Sequence, residues 1–106
     1  LVELIKARGI QPKAMLNMDM VGRLKNNSII VFGTDTAKQW PKLLKENCEA
    51  VSMTCLGSGD GYGPSDHMPF YIAKVPVLHF FTGPHLDYHR ATDTYEKINA
   101  TGGVQV

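Results

Sequence analysis

Short apolar runs alternate with helical patterns along this chain, and this alternation limits the fold more than any other feature. Residues Ser28 to Gly33 form a β-branched apolar run, which is typical of a strand buried on both faces. Residues Val75 to Phe81 have the same character, whereas apolar residues between Thr36 and Glu46 recur every three or four positions, as in a helix. Because strands that alternate with helices pack in layers, the pattern predicts a layered α/β sheet.

The same patterns place the remaining elements. They predict a helix end over residues 1–8, strands over residues 14–21 and 50–55, a helix over residues 68–73 and a final helix from about Asp93. Thr34, Asp35 or Thr36 is available to cap the helix that begins at Thr36, and the carboxylate of Asp93 would cap the last one.

Composition excludes several classes of protein. The 106 residues suffice for one domain, and 43% hydrophobic with 20% charged residues is the balance of a globular chain. A formal net charge of +1 gives no field to hold a phosphate backbone, so we expect no nucleic-acid partner. The longest apolar runs are far shorter than the ~20 residues of a membrane-spanning helix, so we expect no membrane span.

The two cysteines, Cys48 and Cys55, are predicted to be free thiols. If residues 50–55 form a strand, the two Cα atoms lie about 20 Å apart at ~3.3 Å per residue. A disulfide needs a Cα separation below ~7 Å, so a buried apolar role is favoured for both side chains.

Two polar sites lie where predicted strands or loops end. Asp19 follows Asn17 at the end of the first strand, the edge where open α/β sheets gather ligands, and a solvated or capping aspartate is the alternative. Ser65, Asp66 and His67 follow a glycine-rich loop over residues 57–64, where Ser65 could simply cap a helix.

A third site, over residues 84–90, holds His85, Asp87, Tyr88 and His89 within a few positions. Imidazole is a common zinc ligand and tyrosine can donate to a developing oxyanion, so this density favours a metal or acid–base site. The HExxH motif is absent, however, and His79 on the fourth strand is expected to be a satisfied core or near-site histidine.

Four segments together resemble the C-terminal half of the M28 family of zinc aminopeptidases, in the correct order and over nearly the whole chain. Each is modest alone, and the third is the predicted fourth strand with its following turn. The segments are NMDMVGR at 17–23, GPSDHMPF at 63–70, VPVLHFFTG at 75–83 and DYHRATDT at 87–94.

The resemblance implies a zinc-exopeptidase fold, a mixed α/β/α sheet of which residues 1–106 would be the C-terminal portion of a single domain. It implies two zinc ions, with Asp19 and His89 as ligands of different ions. It also implies that Tyr88 stabilises the oxyanion and that Asp66 orients groups of the site from outside the metal shell. The activity implied is removal of N-terminal residues from peptides by metal-activated water.

The family's first histidine, bridging aspartate and consecutive glutamates have no counterpart here, so we expect this fragment alone to be inactive. It begins at Leu1 within a helical pattern, as an internal cut would. The resemblance also favours a secreted, periplasmic or envelope-associated protein. An exposed sheet edge would give the fragment a tendency to self-associate.

Two alternatives stay open at this point. A glutaminyl cyclase-like aminoacyltransferase resembles the same fold with one zinc, although the sequence Asp87-Tyr88-His89 is closer to the peptidases. A non-catalytic protein-interaction domain on a degenerate peptidase fold is the other, and the retention of Asp19, Tyr88 and His89 is against it.

Overall fold

The computed structural model describes residues 1–59, 63, 65–83 and 86–106. Four strands and four α-helices lie in this described part. They are α1 (Val2–Ala7), β1 (Met15–Asp19), β2 (Ser28–Phe32), α2 (Trp40–Ala50), β3 (Thr54–Ser58), α3 (Met68–Ile72), β4 (Val77–Phe81) and α4 (Ala100–Gln105), with short 3₁₀ turns at Val21–Arg23 and Tyr95–Lys97. The predicted α/β class is confirmed. Across the described ranges, no helix has the length and apolar character needed to cross a membrane.

The strands form one mixed sheet in the order β1-β4-β2-β3. β1 pairs with β4 in parallel and β2 pairs with β3 in parallel, whereas β2 and β4 are antiparallel. The carboxyl ends of β1 and β4 therefore meet at one edge, where Asp19 is the register partner of Phe81.

One face of the sheet carries the apolar core. Ile29 and Val31 on β2 and Leu78 on β4 are buried, and they pack with Leu24 and Met53. Trp40 and Leu44 of α2 and Val106 after α4 cover this cluster. Full burial of such a side chain stabilises the fold by roughly 1.5–3 kcal/mol, so this face supplies much of the driving force for folding.

The turn after β2 is built on Gly33 and Thr36, and it delays the start of α2. Gly33 has φ +90°, and a Cβ there would lie 2.5 Å from the carbonyl oxygen of Val77, so no larger residue fits. The Thr36 hydroxyl donates to the Gly33 carbonyl at 2.6 Å and accepts from the Val77 amide at 3.0 Å. Because Thr36 is engaged in this way, it does not cap a helix, and α2 begins at Trp40 instead of Thr36.

The prediction of free thiols is wrong, because Cys48 and Cys55 form a disulfide with a Cα separation of 6.2 Å. The error arose from the predicted strand over residues 50–55. The helix in fact continues to Ala50 and the strand begins only at Thr54. Ser52 in the turn between them has a left-handed backbone, with φ 55°, and the chain reverses there so that the two cysteines meet.

The predicted start of the last helix at Asp93 is also wrong. The Asp93 carboxylate is bound by Arg23, and the final helix begins at Ala100. Asn99 caps it, because its side-chain oxygen accepts from the Gly102 amide at 2.9 Å.

Candidate active site

The face of the sheet opposite the core is polar where β1 and β4 end. Alternation along β1 points Asn17 and Asp19 away from the apolar face. Their register partners on β4 are His79 and Phe81, and the partner of His79 on β2 is Phe32. The sequence-predicted site residue Asp19 thus lies at the carboxyl end of a strand, beside aromatic and imidazole rings.

Asn17 connects this face to the loop before α3. Its amide nitrogen donates to the Ser65 hydroxyl at 2.9 Å and lies 2.9 Å from Nδ1 of His79. Because an amide NH₂ group only donates, Nδ1 of His79 accepts, and the neutral ring carries its proton on Nε2. Ser65 therefore bonds Asn17 and does not cap α3, whose N-cap position is occupied by His67 without a side-chain bond. The prediction that His79 is a satisfied core or near-site histidine is confirmed, since the side chain is buried and its Nδ1 has a hydrogen-bond partner.

His67 is the most unusual side chain of the site. It is completely buried, yet neither ring nitrogen has a hydrogen-bond partner in the described structure. Its ring stacks on that of His79 with centroids 4.4 Å apart. Gly63 leaves room for the ring, since a Cβ there would lie 3.1 Å from two of its atoms.

Burial keeps both stacked imidazoles neutral. It lowers the pKa of His67, against the opposing charge of Asp66. It also lowers the pKa of His79, aided by the neighbouring His67 and opposed by Asp19. The pair therefore offers neutral ring nitrogens, and not positive charge, near pH 7.

A cavity of about 200 Å³ opens between these residues. The described residues that line it are Asp19, Phe32, Gly63, Ser65, His67, His79 and Phe81. Asp19 is half-buried there, whereas Asp66 is exposed and is not one of the lining residues. The structure thus brings Asp19 together with four side chains, Ser65 and His67 of the SDH motif and His79 and Phe81 of the fourth strand, but leaves Asp66 outside.

Tyr88 and His89 lie elsewhere, in the segment after β4, and both are exposed. Their rings are in contact with centroids 3.9 Å apart, and His89 has a left-handed backbone with φ 53°. In the described part of the chain, no hydrogen bond or ring contact joins this pair to Asp19. His85 of the same predicted cluster, and residues 60–62 and 64 of the glycine-rich loop, lie outside the described residues.

The donor types fit zinc, but the described residues do not complete a site. A carboxylate from Asp19 and an imidazole from His89 are ordinary zinc ligands. Among residues 1–59, 63, 65–83 and 86–106, no group of three His, Cys, Asp or Glu side chains could hold a metal ion. Within this described part of the chain, Asp19 and His89 therefore do not belong to a complete set of metal ligands.

Sequence reasoning did not find the stacking of His67 on His79 or the contacts of Arg23. The stacking left a faint signal, since a histidine on a buried strand beside the polar face of β1 suggests a partner packed on that face. The Arg23 contacts join positions 64 and 70 residues apart, so local spacing gives no sign of them.

Comparison with known proteins identifies the family. The model of peptidase family M28 matches residues 5–105, so this chain belongs to that family. No match was found among the curated proteins. The predicted membership is confirmed.

Solved structures share the fold. The LapA aminopeptidase of Legionella pneumophila superposes with a TM-score of 0.82 at 20% identity, over 98% of this chain and 30% of its own. LapB of Legionella pneumophila gives 0.83 at 19% identity, over 98% and 31%. BSAP, a zinc aminopeptidase from Bacillus subtilis, gives 0.68 at 24% identity, over 88% and 25%. The chain therefore spans about a third or less of the length of these structures.

Proposed function

We propose that the whole protein containing this chain is a zinc-dependent aminopeptidase, and that this chain supplies part of its active site. The observation that carries the proposal is the position of Asp19, a half-buried carboxylate at the end of a strand, facing a cavity with two neutral histidines. Membership of peptidase family M28 and the fold shared with aminopeptidases support it.

Asp19 and His89 would each hold one of two zinc ions. When bound, zinc lowers the pKa of a coordinated water and polarises the scissile carbonyl. The remaining ligands and a glutamate general base would come from other parts of the protein, so we propose that residues 1–106 alone are inactive. Asp19 lines the cavity with His67 and His79, whereas His89 contacts Tyr88. These separate surroundings are compatible with two ligands that hold different ions.

Other residues of the chain would act on the substrate directly or orient those that do. The Tyr88 hydroxyl is exposed beside the His89 ring, from where it could donate to the oxyanion of the tetrahedral intermediate. Carboxylates near the metals would attract the free α-amino group of a peptide, which favours an exopeptidase. Asp66, which acts on the charge of the adjacent His67, would orient groups of the site without touching the metal.

The disulfide supports a proposal on location. Disulfides persist in oxidising compartments and are rare in the cytosol. The Cys48–Cys55 bridge therefore favours a secreted, periplasmic or envelope-associated protein.

We further propose that peptides are the substrates. The outer edges of β1 and β3, which lack a second strand in the described sheet, would allow self-association of the isolated fragment.

The experiment compares residues 1–106 with a version extended upstream. Zinc is measured by elemental analysis, and hydrolysis is followed with a chromogenic leucine anilide. Zinc and hydrolysis only in the extended version are the expected result. An extended version with neither would favour an interaction domain, and cyclisation of an N-terminal glutamine peptide without hydrolysis would favour an aminoacyltransferase.

A further inference from the structure

The turn after β1 holds both ends of the segment that follows β4. The Thr82 hydroxyl donates to the Met20 carbonyl at 2.5 Å. The Asn99 backbone amide donates to the Gly22 carbonyl at 2.7 Å, and its side-chain amide donates to the Leu24 carbonyl at 3.1 Å. The stretch between Thr82 and Asn99 is therefore attached at its start and at its end to a few consecutive residues.

Arg23 in the same turn binds the middle of that stretch. Its Nε and Nη2 donate to one carboxylate oxygen of Asp93 at 3.0 and 2.6 Å. Nη2 also donates to the Asp87 carboxylate at 2.9 Å, and Lys97 binds the other oxygen of Asp87 at 2.9 Å. The Arg23 side chain is only 12% exposed, so these ion pairs are partly shielded from water.

Asp87 and Asp93 lie on either side of His89 in the sequence. The backbone between them forms two consecutive turns, each with its own backbone hydrogen bond. The Arg90 amide donates to the Asp87 carbonyl at 2.9 Å, and the Asp93 amide donates to the Arg90 carbonyl at 3.1 Å. His89 within this turn has a left-handed backbone, which is uncommon for a residue other than glycine.

We propose that Arg23 is a positioning residue for His89: by holding Asp87 and Asp93 together, its guanidinium fixes the turn that carries His89 to the end of the strand that carries Asp19. The role in metal binding rests on the proposed function, since it takes His89 as a zinc ligand. Arg23 itself touches neither His89 nor Asp19, and it acts through the two carboxylates. Its planar fork is what allows one side chain to bind both, so lysine cannot replace it.

The test uses the whole protein with Arg23→Met, Arg23→Lys, Asp93→Asn and His89→Ala. Arg8→Met is the matched control, because Arg8 is exposed on the end of α1 and forms no ion pair with the described residues. The first readout is zinc affinity by competition with a chelator. The second, in metal-free protein, is the rate of tryptic cleavage after Arg90 relative to cleavage after Lys13, an exposed loop site.

Arg23→Met and Arg23→Lys should each weaken zinc binding about 10- to 100-fold, the usual effect of losing a group that orients a metal ligand. Both should speed cleavage after Arg90 and leave cleavage after Lys13 unchanged, and Arg8→Met should change neither. Asp93→Asn should act in the same direction, and it keeps the test decisive if the Arg23 variants do not fold. A merely structural role of Arg23 would lower stability without changing zinc affinity.

Three results would overturn the inference. The first is unchanged cleavage after Arg90 in all Arg23 and Asp93 variants. The second is faster cleavage with unchanged zinc affinity, while His89→Ala loses zinc; the proposed function then stands and the positioning role fails. The third is unchanged zinc affinity in His89→Ala as well, which refutes the assignment of His89 as a ligand and the positioning role with it.

Discussion

The two proposed zinc ligands are held in opposite ways. Asp19 is the last residue of a strand, and its position follows from backbone pairing with β4. His89 lies in an irregular segment, which ion pairs between side chains far apart in the sequence attach to the turn after β1. The difference shows that the position of Asp19 can be predicted from strand periodicity, whereas the position of His89 depends on contacts that only the folded chain reveals.

Removal of either proposed zinc ligand should have the largest effect on turnover and zinc content. In the whole protein, Asp19→Ala and His89→Ala should each abolish turnover with loss of roughly one zinc equivalent, because a lost metal ligand has no substitute nearby. Elemental analysis and hydrolysis of a leucine anilide measure the two effects. Glu46→Ala, which removes an exposed carboxylate of α2, is the control and should retain both. Undiminished turnover in either ligand variant would refute its assignment.

Tyr88→Phe should lower the catalytic rate without releasing zinc, and so distinguish a role in the chemical step from a role in metal binding. Loss of one oxyanion donor usually lowers kcat by about 10² to 10³, and zinc content should stay as in the unchanged protein. Steady-state kinetics with parallel zinc analysis measure this. A change in KM alone would mean that the hydroxyl binds substrate and does not stabilise the transition state.

The disulfide packs against the apolar core and does not line the cavity of Asp19, so its loss should affect folding alone. Replacing both Cys48 and Cys55 by Ser should lower the free energy of unfolding by about 2–3 kcal/mol, as expected for opening a loop of about eight residues. Denaturant titration measures the change, and reduced unchanged protein should match the double variant. A fall in kcat of the folded double variant would show that the bridge also supports the site.

Acidification should destabilise the fold through the two buried histidines beside Asp19. Burial lowers the pKa values of His67 and His79, so the unfolded chain binds protons more readily than the folded one. Stability is then full above the ordinary histidine pKa of about 6.5 and declines as the pH falls below it, by up to about 1.4 kcal/mol per pH unit for one proton. Denaturant titration of metal-free protein between about pH 7.5 and 5 tests this.

One substitution tests the buried imidazole in that pH series. His67→Phe removes a group whose pKa is lowered by burial, so it should flatten the dependence on pH. Asp87 should not contribute, because hydrogen bonds from Thr92, Lys97 and Arg23 hold the pKa of its carboxyl well below its usual range. An unchanged dependence on pH in His67→Phe would show that burial of this imidazole is not the cause.

Much of the fold could be predicted because apolar alternation and β-branched runs determine which faces of the strands are buried. This placed β2 and β4 within a few residues and put Asp19 at a strand end. The boundary between α2 and β3 was wrong by about four residues, because the Thr36 hydroxyl bonds backbone groups of Gly33 and Val77 and the helix starts late. The error in the cysteines followed from that shift.

The contacts around His89 could not be predicted because they are not periodic. Asp93 with Glu96 three residues later has the spacing of a capping box, and local spacing alone favoured a cap. In the folded chain, the Asp93 carboxylate instead bonds the largely buried guanidinium of Arg23, 70 residues away. Charge pairing over that distance in sequence outweighed the local signal.

The strand order also bears on how fast this chain folds. β2 and β3 are joined through α2 and pair Ser28 with Thr54, so their loop closes at low entropic cost. β1 reaches β4 across far more chain, with Asn17 and His79 62 residues apart. Long-range pairing of this kind forms slowly, so we expect the β2-α2-β3 unit to collapse first and β1 to dock last. The strand that carries Asp19 would then complete the sheet at the end of folding, and the site would be assembled only in the native state.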